Sequence, residues 1–437
     1  MILIKNGIVV DTISLKEEQL DIFIKDGKFQ KLEKGLNEEA LAQEYGISKE
    51  EAMQQIQVID ATGLKIGPGL VDVHVHFRDP GFTYKEDIST GAKAAAKGGF
   101  TTVVLMANTK PTVDNEETLA YVLNKGKETD IHVETCVSIT KGLLGKELTD
   151  MENLVGKGAV GVTDDGIPLL DEEILKQAMI KAAQLNVPIS LHEENPAFIK
   201  NNGVNAGKAA ANFGIGGSDR KAEISLIERD VELALQTGAS LNVQHISTKE
   251  GVELVRKGKA QGSNIHAEAT PHHFTLTEDA VIENGTLAKM NPPLREEADR
   301  MAVIEGLKDG TIDLIATDHA PHAKEEKDKP ITEAPSGIIG LETAFGLAVA
   351  NLVATEHLTL PQLFEKMSLN PARLYHLEAG TIEVEKVADL IVFKEEEKFE
   401  FKEEDICSKS HNTPFIGTTL QGKIYYTIAG GKIAYQK

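Results

Sequence analysis

Two histidines separated by one residue, His74 and His76, lie in the segment DVHVHFRDPG at the end of an apolar run. Side chains two residues apart on a strand lie on the same face, so both imidazoles can bind one metal ion. An isolated pair of this kind is more often part of a packed core. Its interpretation as a metal site therefore depends on what the rest of the chain supplies.

Four further segments carry acidic or histidine side chains where an apolar, β-rich run stops. These candidate ligands are Asp164 and Asp165 in TDDG, His192 in LHEE, His245 in QHIST and Asp318 in ATDHAPH. Four histidines and two carboxylates exceed the needs of one tetrahedral zinc with an open position, but they suit two ions that share a carboxylate. Two such ions can hold a hydroxide between them and polarise a carbonyl, which favours amide or ester hydrolysis and its reverse.

Arg78 lies two residues beyond His76, on the same face by strand parity. Its planar guanidinium matches a carboxylate, and a cation beside metal ions is repelled unless an anion joins them. We therefore expect Arg78 to bind an acidic group of the substrate.

The elements that must position these residues are alternating strand and helix patterns over residues 69–380. Eight short apolar runs alternate with amphipathic helical patterns and end near Val75, Met106, Ile139, Val162, Leu191, Ile246, Glu268 and Ala316. This α/β pattern predicts a (β/α)8 TIM-type barrel, a metal-dependent hydrolase domain with its active site at the carboxyl ends of the strands. A doubly wound sheet is the alternative.

The two ends of the chain, residues 1–68 and 381–437, consist of short alternating β-rich pieces. Because neither end can close a good core alone, we expect the two to pair into one small composite β-sandwich domain. The acidic stretch Glu38–Gln57 predicts a helical surface insertion. The charged stretch Ala323–Ser336 follows the last barrel strand, and we expect it to cover the site.

The motifs together resemble a known family. They are DVHVHFRDPG, YKEDISTGAKAAAKGGFTTV, NTKP, TDDG, QHIST, ATPHH, NPPLR, ATDHAPH and SGIIGLET. This set resembles the amidohydrolase superfamily and, within it, the dihydroorotases of the bacterial class I type. The resemblance covers almost the whole chain. It implies the reversible cyclisation of N-carbamoyl-L-aspartate to L-dihydroorotate in de novo pyrimidine (UMP) biosynthesis.

The resemblance also implies a division of roles. One Zn²⁺ would be bound by His74, His76 and Asp318, and a second by His192 and His245. An aspartate bridges the ions in this class; we prefer Asp165, and Asp164 remains the alternative. Asp318 would also act as general base and acid, moving a proton from water to the departing ring nitrogen.

The substrate contacts implied by the resemblance extend beyond Arg78. Asn108 and His322 would help Arg78 to hold the substrate carboxylate, Asn291 would contact the ring amide, and the backbone of Gly337 would meet the substrate. We expect His272 and His273 to support these groups from behind.

Composition excludes several function classes. The net charge of −22, from 46 basic and 68 acidic side chains, disfavours nucleic acid as a partner. The sequence has no apolar run long enough for a membrane span, and its start does not favour a signal peptide. Two cysteines, Cys136 and Cys407, suit a reducing cytoplasm, and we expect both to be buried. The resemblance adds a homodimer and an association with aspartate carbamoyltransferase.

Two rival functions stay open at this point. Another cyclic amidase, an allantoinase or dihydropyrimidinase, would commonly use a bridging lysine and would not need an arginine for an α-carboxylate. A non-catalytic scaffold homologue usually loses metal ligands, whereas the full set is present here.

Overall fold

A computed structural model describes residues 1–262 and 264–437 of the chain. Its strands, in chain order, are β1 (Ile2–Asp11), β2 (Lys16–Lys25), β3 (Lys28–Glu33), β4 (Gln57–Asp60), β5 (Lys65–Pro68), β6 (Leu70–Val75), β7 (Phe100–Leu105), β8 (His132–Val137), β9 (Gly161–Thr163), β10 (Ile189–Leu191), β11 (Leu241–Val243), β12 (Ile265–Ala269), β13 (Leu314–Ile315), β14 (Leu390–Glu400), β15 (Thr419–Ala429) and β16 (Lys432–Gln436).

Helices fill most of the connections. They are α1 (Glu38–Tyr45), α2 (Lys49–Gln55), α3 (Ile88–Lys97), α4 (Glu116–Gly126), α5 (Met151–Gly156), α6 (Glu172–Leu185), α7 (Lys208–Phe213), α8 (Lys221–Thr237), α9 (Lys249–Ala260), α10 (Pro271–Thr275), α11 (Asp279–Asn284), α12 (Glu297–Asp309), α13 (Lys324–Lys327), α14 (Leu341–Ala348), α15 (Leu360–Phe364) and α16 (Asn370–Leu374). Helices α14 and α15 each continue into a π-helical turn.

Strands β6 to β13 form a parallel sheet in which each strand pairs with the next along the chain. The first and last strands approach each other at a seam, where the His76 N–H donates to the His319 carbonyl at 2.9 Å. The carboxylate of Asp72 accepts a hydrogen bond from the Thr317 N–H across the same seam. The predicted (β/α)8 TIM-type barrel is therefore confirmed, and each observed strand ends within three residues of its predicted end.

Local sequence explains the barrel units. All six residues of β6 are buried, as expected for a parallel strand that is covered on both faces. Helix α6 begins after Asp171, whose carboxylate accepts the N–H groups of Glu173 and Ile174. It ends at Asn186, which adopts the left-handed conformation with φ 54° and returns the chain to β10. Repetition of such units gathers the carboxyl ends of the strands on one rim.

The second sheet combines both ends of the chain in the order β16-β15-β14-β5-β1-β2-β3, with β4 paired to β1. Its junction is the antiparallel pairing of β5 with β14, in which Ile66 lies opposite Val392. Side chains from both ends share one core that includes Ile4, Leu390 and Val392. The predicted pairing of the two ends into one composite β domain is confirmed. Its eight strands form a single continuous sheet where a β-sandwich was predicted, and its boundaries at residues 68 and 381 stay a prediction.

The stretch predicted as a helical insertion forms α1 and α2. Their apolar residues Leu41 and Ala52 pack on Leu3 and Phe23 of the composite sheet. No helix in the described part of the chain has the length and apolarity that a membrane crossing requires.

One expectation from composition is wrong. Cys136 is buried as predicted, but Cys407 is exposed. Cys407 lies in the loop between β14 and β15, where its backbone N–H donates to the carboxylate of Glu342. The position is fixed by this backbone contact, so its side chain does not need an apolar environment.

Candidate metal centre

The predicted ligands all lie at or just beyond the carboxyl ends of barrel strands. His74 is in β6 and His76 follows it, Asp165 follows β9, His192 follows β10, His245 follows β11 and Asp318 follows β13. All six are buried. The barrel topology thus brings together side chains that are up to 244 positions apart in the sequence.

Asp165 occupies the middle of this group. Its Oδ1 lies 3.3 Å from Nε2 of His74, and its Oδ2 lies 3.5 Å from Nε2 of His76. On the other side, Oδ1 lies 3.9 Å from Nδ1 of His192. Asp165 therefore faces both pairs of histidines at once.

The side chains form three groups, and within each group one donor atom per residue lies within 4.8 Å of the others. The groups are His74, His76 and Asp165; His74, His245 and Asp318; and Asp165, His192 and His245. Nε2 of His74 is buried and has no hydrogen-bond partner in the described ranges. A buried nitrogen without a partner is costly unless another group binds it. Imidazole and carboxylate donors in this arrangement fit divalent metal ions.

The two neighbouring acids in the TDDG loop point in different directions. The carboxylate of Asp164 accepts the backbone N–H groups of Ile139, at 2.7 Å, and Thr140, at 3.1 Å. It also accepts the Thr140 hydroxyl. Asp164 is thus turned into the loop that follows β8, while Asp165 faces the histidines.

The charges of the centre oppose the effect of burial. Burial alone raises the pKa of Asp165, but the charges on His74, His76 and His192 outweigh it and hold this pKa well below its usual value. Burial lowers the pKa of His74, and Glu268, Asp165 and Asp318 raise it well above its usual value. These charges therefore keep the carboxylate of Asp165 ionised, as metal binding requires.

Two acidic residues that sequence analysis did not assign to the site support these ligands. Glu268, at the end of β12, accepts a hydrogen bond from Nδ1 of His74 at 2.5 Å. Glu194 accepts one from Nε2 of His192 at 3.0 Å, so Nδ1 of His192 is the free acceptor, 3.0 Å from Nε2 of His245 and 3.9 Å from Oδ1 of Asp165. Carboxylates commonly orient metal-binding histidines in this way. The signal for Glu194 was its spacing of two from His192, which places both on the same face of an extended segment.

Three residues at the rim have an unusual backbone conformation. Arg78, His245 and Asp318 have φ values of 58°, 32° and 49°, which are uncommon for residues other than glycine. Each follows a barrel strand by a few residues. Strain of this kind persists where the surrounding structure fixes a side chain in a functional position.

The residues predicted to contact the substrate lie on the same rim of the barrel as the predicted metal ligands. Nε of Arg78 donates to the Pro321 carbonyl at 3.2 Å, and its Nη2 lies 3.5 Å from Nε2 of His322. The amide of Asn108 accepts from Nδ1 of His76 at 3.0 Å and donates to Oδ2 of Asp165 at 2.9 Å. Asn108 thus contacts the centre directly.

Asn291 and Gly337 differ in whether their polar groups already have hydrogen-bond partners within the protein. Oδ1 of Asn291 is buried without a hydrogen-bond partner among the residues described. The N–H of Gly337 donates to the Lys289 carbonyl at 2.8 Å, and its carbonyl accepts from Lys327 and Asn412. Both backbone groups of Gly337 are therefore already bonded within the protein.

The two adjacent histidines of ATPHH lie behind this surface. His273 makes hydrogen bonds with Thr270 at 2.7 Å and with the Pro292 carbonyl at 3.0 Å. Because Pro292 follows Asn291, His273 fixes the segment that carries this amide. Nε2 of His272 is buried and has no partner in the part of the chain that the structure describes.

Comparison with known proteins agrees with this geometry. Residues 66–434 match the sequence model of the Amidohydrolase family. The chain belongs to the amidohydrolase family. This amidohydrolase is 54% identical over 435 residues to a dihydroorotase of Clostridioides difficile (strain 630), with 100% of both chains covered. It is 48% identical to a dihydroorotase of Lactococcus lactis subsp. lactis, with 100% of this chain and 99% of the relative covered.

Solved structures show the same fold. An L-hydantoinase (dihydropyrimidinase) from Arthrobacter aurescens superposes with a TM-score of 0.85 at 25% identity, covering 100% of this chain and 96% of that one. A D-hydantoinase (dihydropyrimidinase) from Thermus sp. has a TM-score of 0.83 at 24% identity, with coverage of 100% and 95%. The amidohydrolase family is metal-dependent, which agrees with the cluster of buried ligands.

Proposed function

We propose that this amidohydrolase is a dihydroorotase, which interconverts N-carbamoyl-L-aspartate and L-dihydroorotate in de novo pyrimidine biosynthesis. The observation that carries the proposal is the position of Arg78 and His322 beside a buried cluster of metal-binding side chains. A cation next to a metal centre suits a cyclic amide that bears a carboxylate. The full-length relatives support the same activity, since they are dihydroorotases at about 50% identity.

The centre would hold two Zn²⁺ ions per subunit. His74, His76 and Asp318 would bind one ion, His192 and His245 the other, and Asp165 both. When bound, such ions polarise a carbonyl and lower the pKa of a water molecule towards neutrality. The position of Asp165 between the two pairs of histidines supports this division.

Asp318 would move the proton. In the hydrolytic direction, water adds to the ring carbonyl carbon and the C–N bond breaks, so one proton must pass from water to the departing nitrogen. Asp318 is buried at the rim, and its Oδ1 lies 3.0 Å from Nε2 of His76, so the carboxylate lies next to the proposed metal ligands. A carboxylate in this position can take the proton and return it to nitrogen.

The remaining residues would position the substrate. Arg78, Asn108 and His322 would hold the carboxylate, and the unpartnered Oδ1 of Asn291 would accept the ring N–H. The backbone of Gly337 would meet the substrate: its φ is 115°, and a Cβ there would lie 2.6 Å from Cβ of Ala320 and 3.5 Å from Nε2 of His322. These contacts orient the reacting carbonyl rather than act on it chemically.

The decisive experiment is an assay of dihydroorotate hydrolysis and N-carbamoyl-L-aspartate cyclisation on protein of measured metal content, with and without a chelator. We expect turnover in both directions that is lost with the chelator and restored by Zn²⁺. Turnover that does not depend on metal, or no turnover at two zinc ions per chain, would overturn the proposal.

A second candidate function is hydantoin or dihydropyrimidine hydrolysis, because the superposed structures include hydantoinases. Hydantoin and dihydrouracil lack the α-carboxylate that Arg78 would bind. The same assay with hydantoin, dihydrouracil and allantoin decides between the two functions. A higher kcat/KM for any of these than for dihydroorotate would favour the second candidate.

We also propose a cytoplasmic homodimer that associates with aspartate carbamoyltransferase. The resemblance in motifs supports these three points, and the free thiols of Cys136 and Cys407 suit a reducing compartment. Light scattering on the purified protein, alone and mixed with the carbamoyltransferase of the same source, tests the two assemblies.

A further inference from the structure

Lys85 and His322 form a buried pair beside the proposed carboxylate site. Lys85 lies in the loop between β6 and α3, and His322 lies beyond β13. Nζ of Lys85 is 3.3 Å from Nδ1 of His322, and the two side chains are only 10% and 8% exposed. The ammonium also binds Glu326 of α13, at 3.1 Å. The pair therefore connects the loops that follow the first and last barrel strands.

An ammonium can only donate, so Nδ1 of His322 must be the acceptor in this contact. The ring proton is then on Nε2, where the Ser336 carbonyl is an acceptor at 2.9 Å. The opposite tautomer would aim Nδ1–H at the ammonium and would lose the bond to Ser336. Its gains would be two long contacts, 3.5 Å between Nε2 and Nη2 of Arg78 and 3.6 Å between Nδ1 and Oε2 of Glu326.

The imidazolium form is disfavoured as well. Burial lowers the pKa of His322, and the positive charges of Arg78, Lys85 and Lys327 lower it further, well below its usual value. The opposing carboxylate, Oε2 of Glu326, is 3.6 Å from Nδ1 and is shared with Lys85. The ring therefore stays uncharged and keeps one N–H.

We propose that Lys85 is a positioning residue that fixes His322 as the neutral imidazole protonated at Nε2, so that a hydrogen-bond donor lies beside the guanidinium of Arg78. Two donors, Nη2 of Arg78 and Nε2–H of His322, then face the space that the substrate carboxylate would take. An anion there competes with the Ser336 carbonyl for this N–H. The consequence for catalysis rests on the proposed function, but the tautomer does not.

The tautomer is measured directly on substrate-free protein. In protein labelled with ¹⁵N-histidine, multiple-bond ¹H–¹⁵N spectra separate Nε2–H, Nδ1–H and imidazolium rings, and the His322 signals are those lost in His322→Gln. We expect wild-type His322 to be Nε2-protonated from pH 6.5 to 8.5. In Lys85→Met we expect a mixture of tautomers or an imidazolium, and in Lys85→Arg recovery of the wild-type pattern.

Kinetics supply the second measurement. Loss of an oriented donor to a charged ligand should raise KM for dihydroorotate about tenfold in Lys85→Met, with a smaller change in kcat. The matched control is Lys324→Met, a lysine of the same region whose side chain is 81% exposed and pairs with Asp328; its KM and the His322 tautomer should match wild type.

Three results would overturn the proposal. They are an Nδ1–H or charged His322 in the wild-type protein, which is informative even if Lys85→Met does not fold; an unchanged tautomer in folded Lys85→Met; and equal effects of Lys85→Met and Lys324→Met on KM. If the tautomer responds as expected while dihydroorotate is not turned over, the positioning role stands and only the proposed function fails.

Discussion

Oε1 of Glu268 accepts hydrogen bonds from Nδ1 of His74, at 2.5 Å, and from the backbone N–H of His245, at 3.2 Å. One fully buried carboxylate thus fixes two proposed metal ligands that come from different strands. Its second oxygen is held by Asn242 at 3.0 Å, so the carboxylate itself is oriented. The geometry of the centre therefore depends on a residue that touches no ion.

Replacing Glu268 tests this dependence. We expect Glu268→Gln to weaken metal binding by about 10–100-fold, because an amide offers one oxygen where the carboxylate offers two. If that oxygen accepts from His74 and His245, the NH2 group of the glutamine lies against the NH2 group of Asn242, and the negative charge that orients His74 is gone. Competition with a chromophoric chelator measures the affinity without reference to turnover. The control is the exposed Glu325→Gln; an affinity equal to that of this control would contradict the role.

Asp318 is expected to be essential for turnover but not for folding. Asp318→Asn keeps the size of the side chain and tolerates the positive φ of 49°, but it removes the proton acceptor. We predict a fall in kcat of at least about 1,000-fold, with an unchanged circular dichroism spectrum. Asp328→Asn, on the exposed surface of the neighbouring loop, should keep full activity. Substantial turnover by Asp318→Asn would rule out the assignment.

Arg78 should act mainly on binding. Arg78→Met removes the guanidinium while keeping the apolar stem, so KM for dihydroorotate should rise about 10–100-fold, with a smaller loss in kcat. Arg78→Lys should recover only part of the affinity, since an ammonium lacks the planar fork of donors. The assignment fails if both variants saturate with substrate as the wild type does.

Replacing each of the two acids of TDDG should have a different effect. Asp165→Asn should lower the metal content of purified protein, because this carboxylate faces both pairs of histidines. Asp164→Asn should keep the metal but destabilise the fold by ~1–3 kcal/mol, since its carboxylate accepts buried hydrogen bonds from Ile139 and Thr140. Elemental analysis and thermal unfolding separate the two outcomes, and an exchange of the two phenotypes would reverse the choice of bridging residue.

One ion pair between the barrel and the composite sheet predicts a pH dependence. A hydrogen bond from His132 to Asp389, at 3.1 Å, raises the pKa of His132 above its usual value despite partial burial. A raised pKa in the folded state stabilises the protein fully below about pH 6.5, and this contribution is lost as the pH rises through the folded value. The effect is small, because the His132 side chain is 39% exposed.

The difference in melting temperature between wild type and His132→Asn should therefore be largest near pH 6 and should shrink towards pH 9. Differential scanning fluorimetry at fixed ionic strength measures it. A difference that grows with pH would contradict the assigned direction.

The sequence was sufficient for the barrel and for which residues meet on its rim. Parallel strands are buried on both faces, so each appears as a short apolar run, and the residue after it necessarily lies at the carboxyl end. His74, His192 and Asp318 could be placed together for this reason alone. The choice between Asp164 and Asp165 could not be made in this way, because side-chain direction within a loop depends on which backbone groups need an acceptor.

The supporting residues were harder to predict. Glu268 was recognised only as the end of a strand, since nothing local shows that its carboxylate reaches His74 across the barrel interior. Cys407 was expected in the core from residue type, yet its place is set by hydrogen bonds of the backbone. Contacts between distant strands and backbone-determined positions both require the assembled barrel.

The seam between β6 and β13 would give bound metal ions a structural role as well. His74 and His76 lie on one side of it and Asp318 on the other, while the backbones are joined there through the His76 N–H and the His319 carbonyl. Cations bound by these side chains together would cross-link the first and last strands of the barrel. Chelation would then do more than stop turnover. It would also weaken the contact between β6 and β13, so the barrel would begin to open at the same place where the ions are lost.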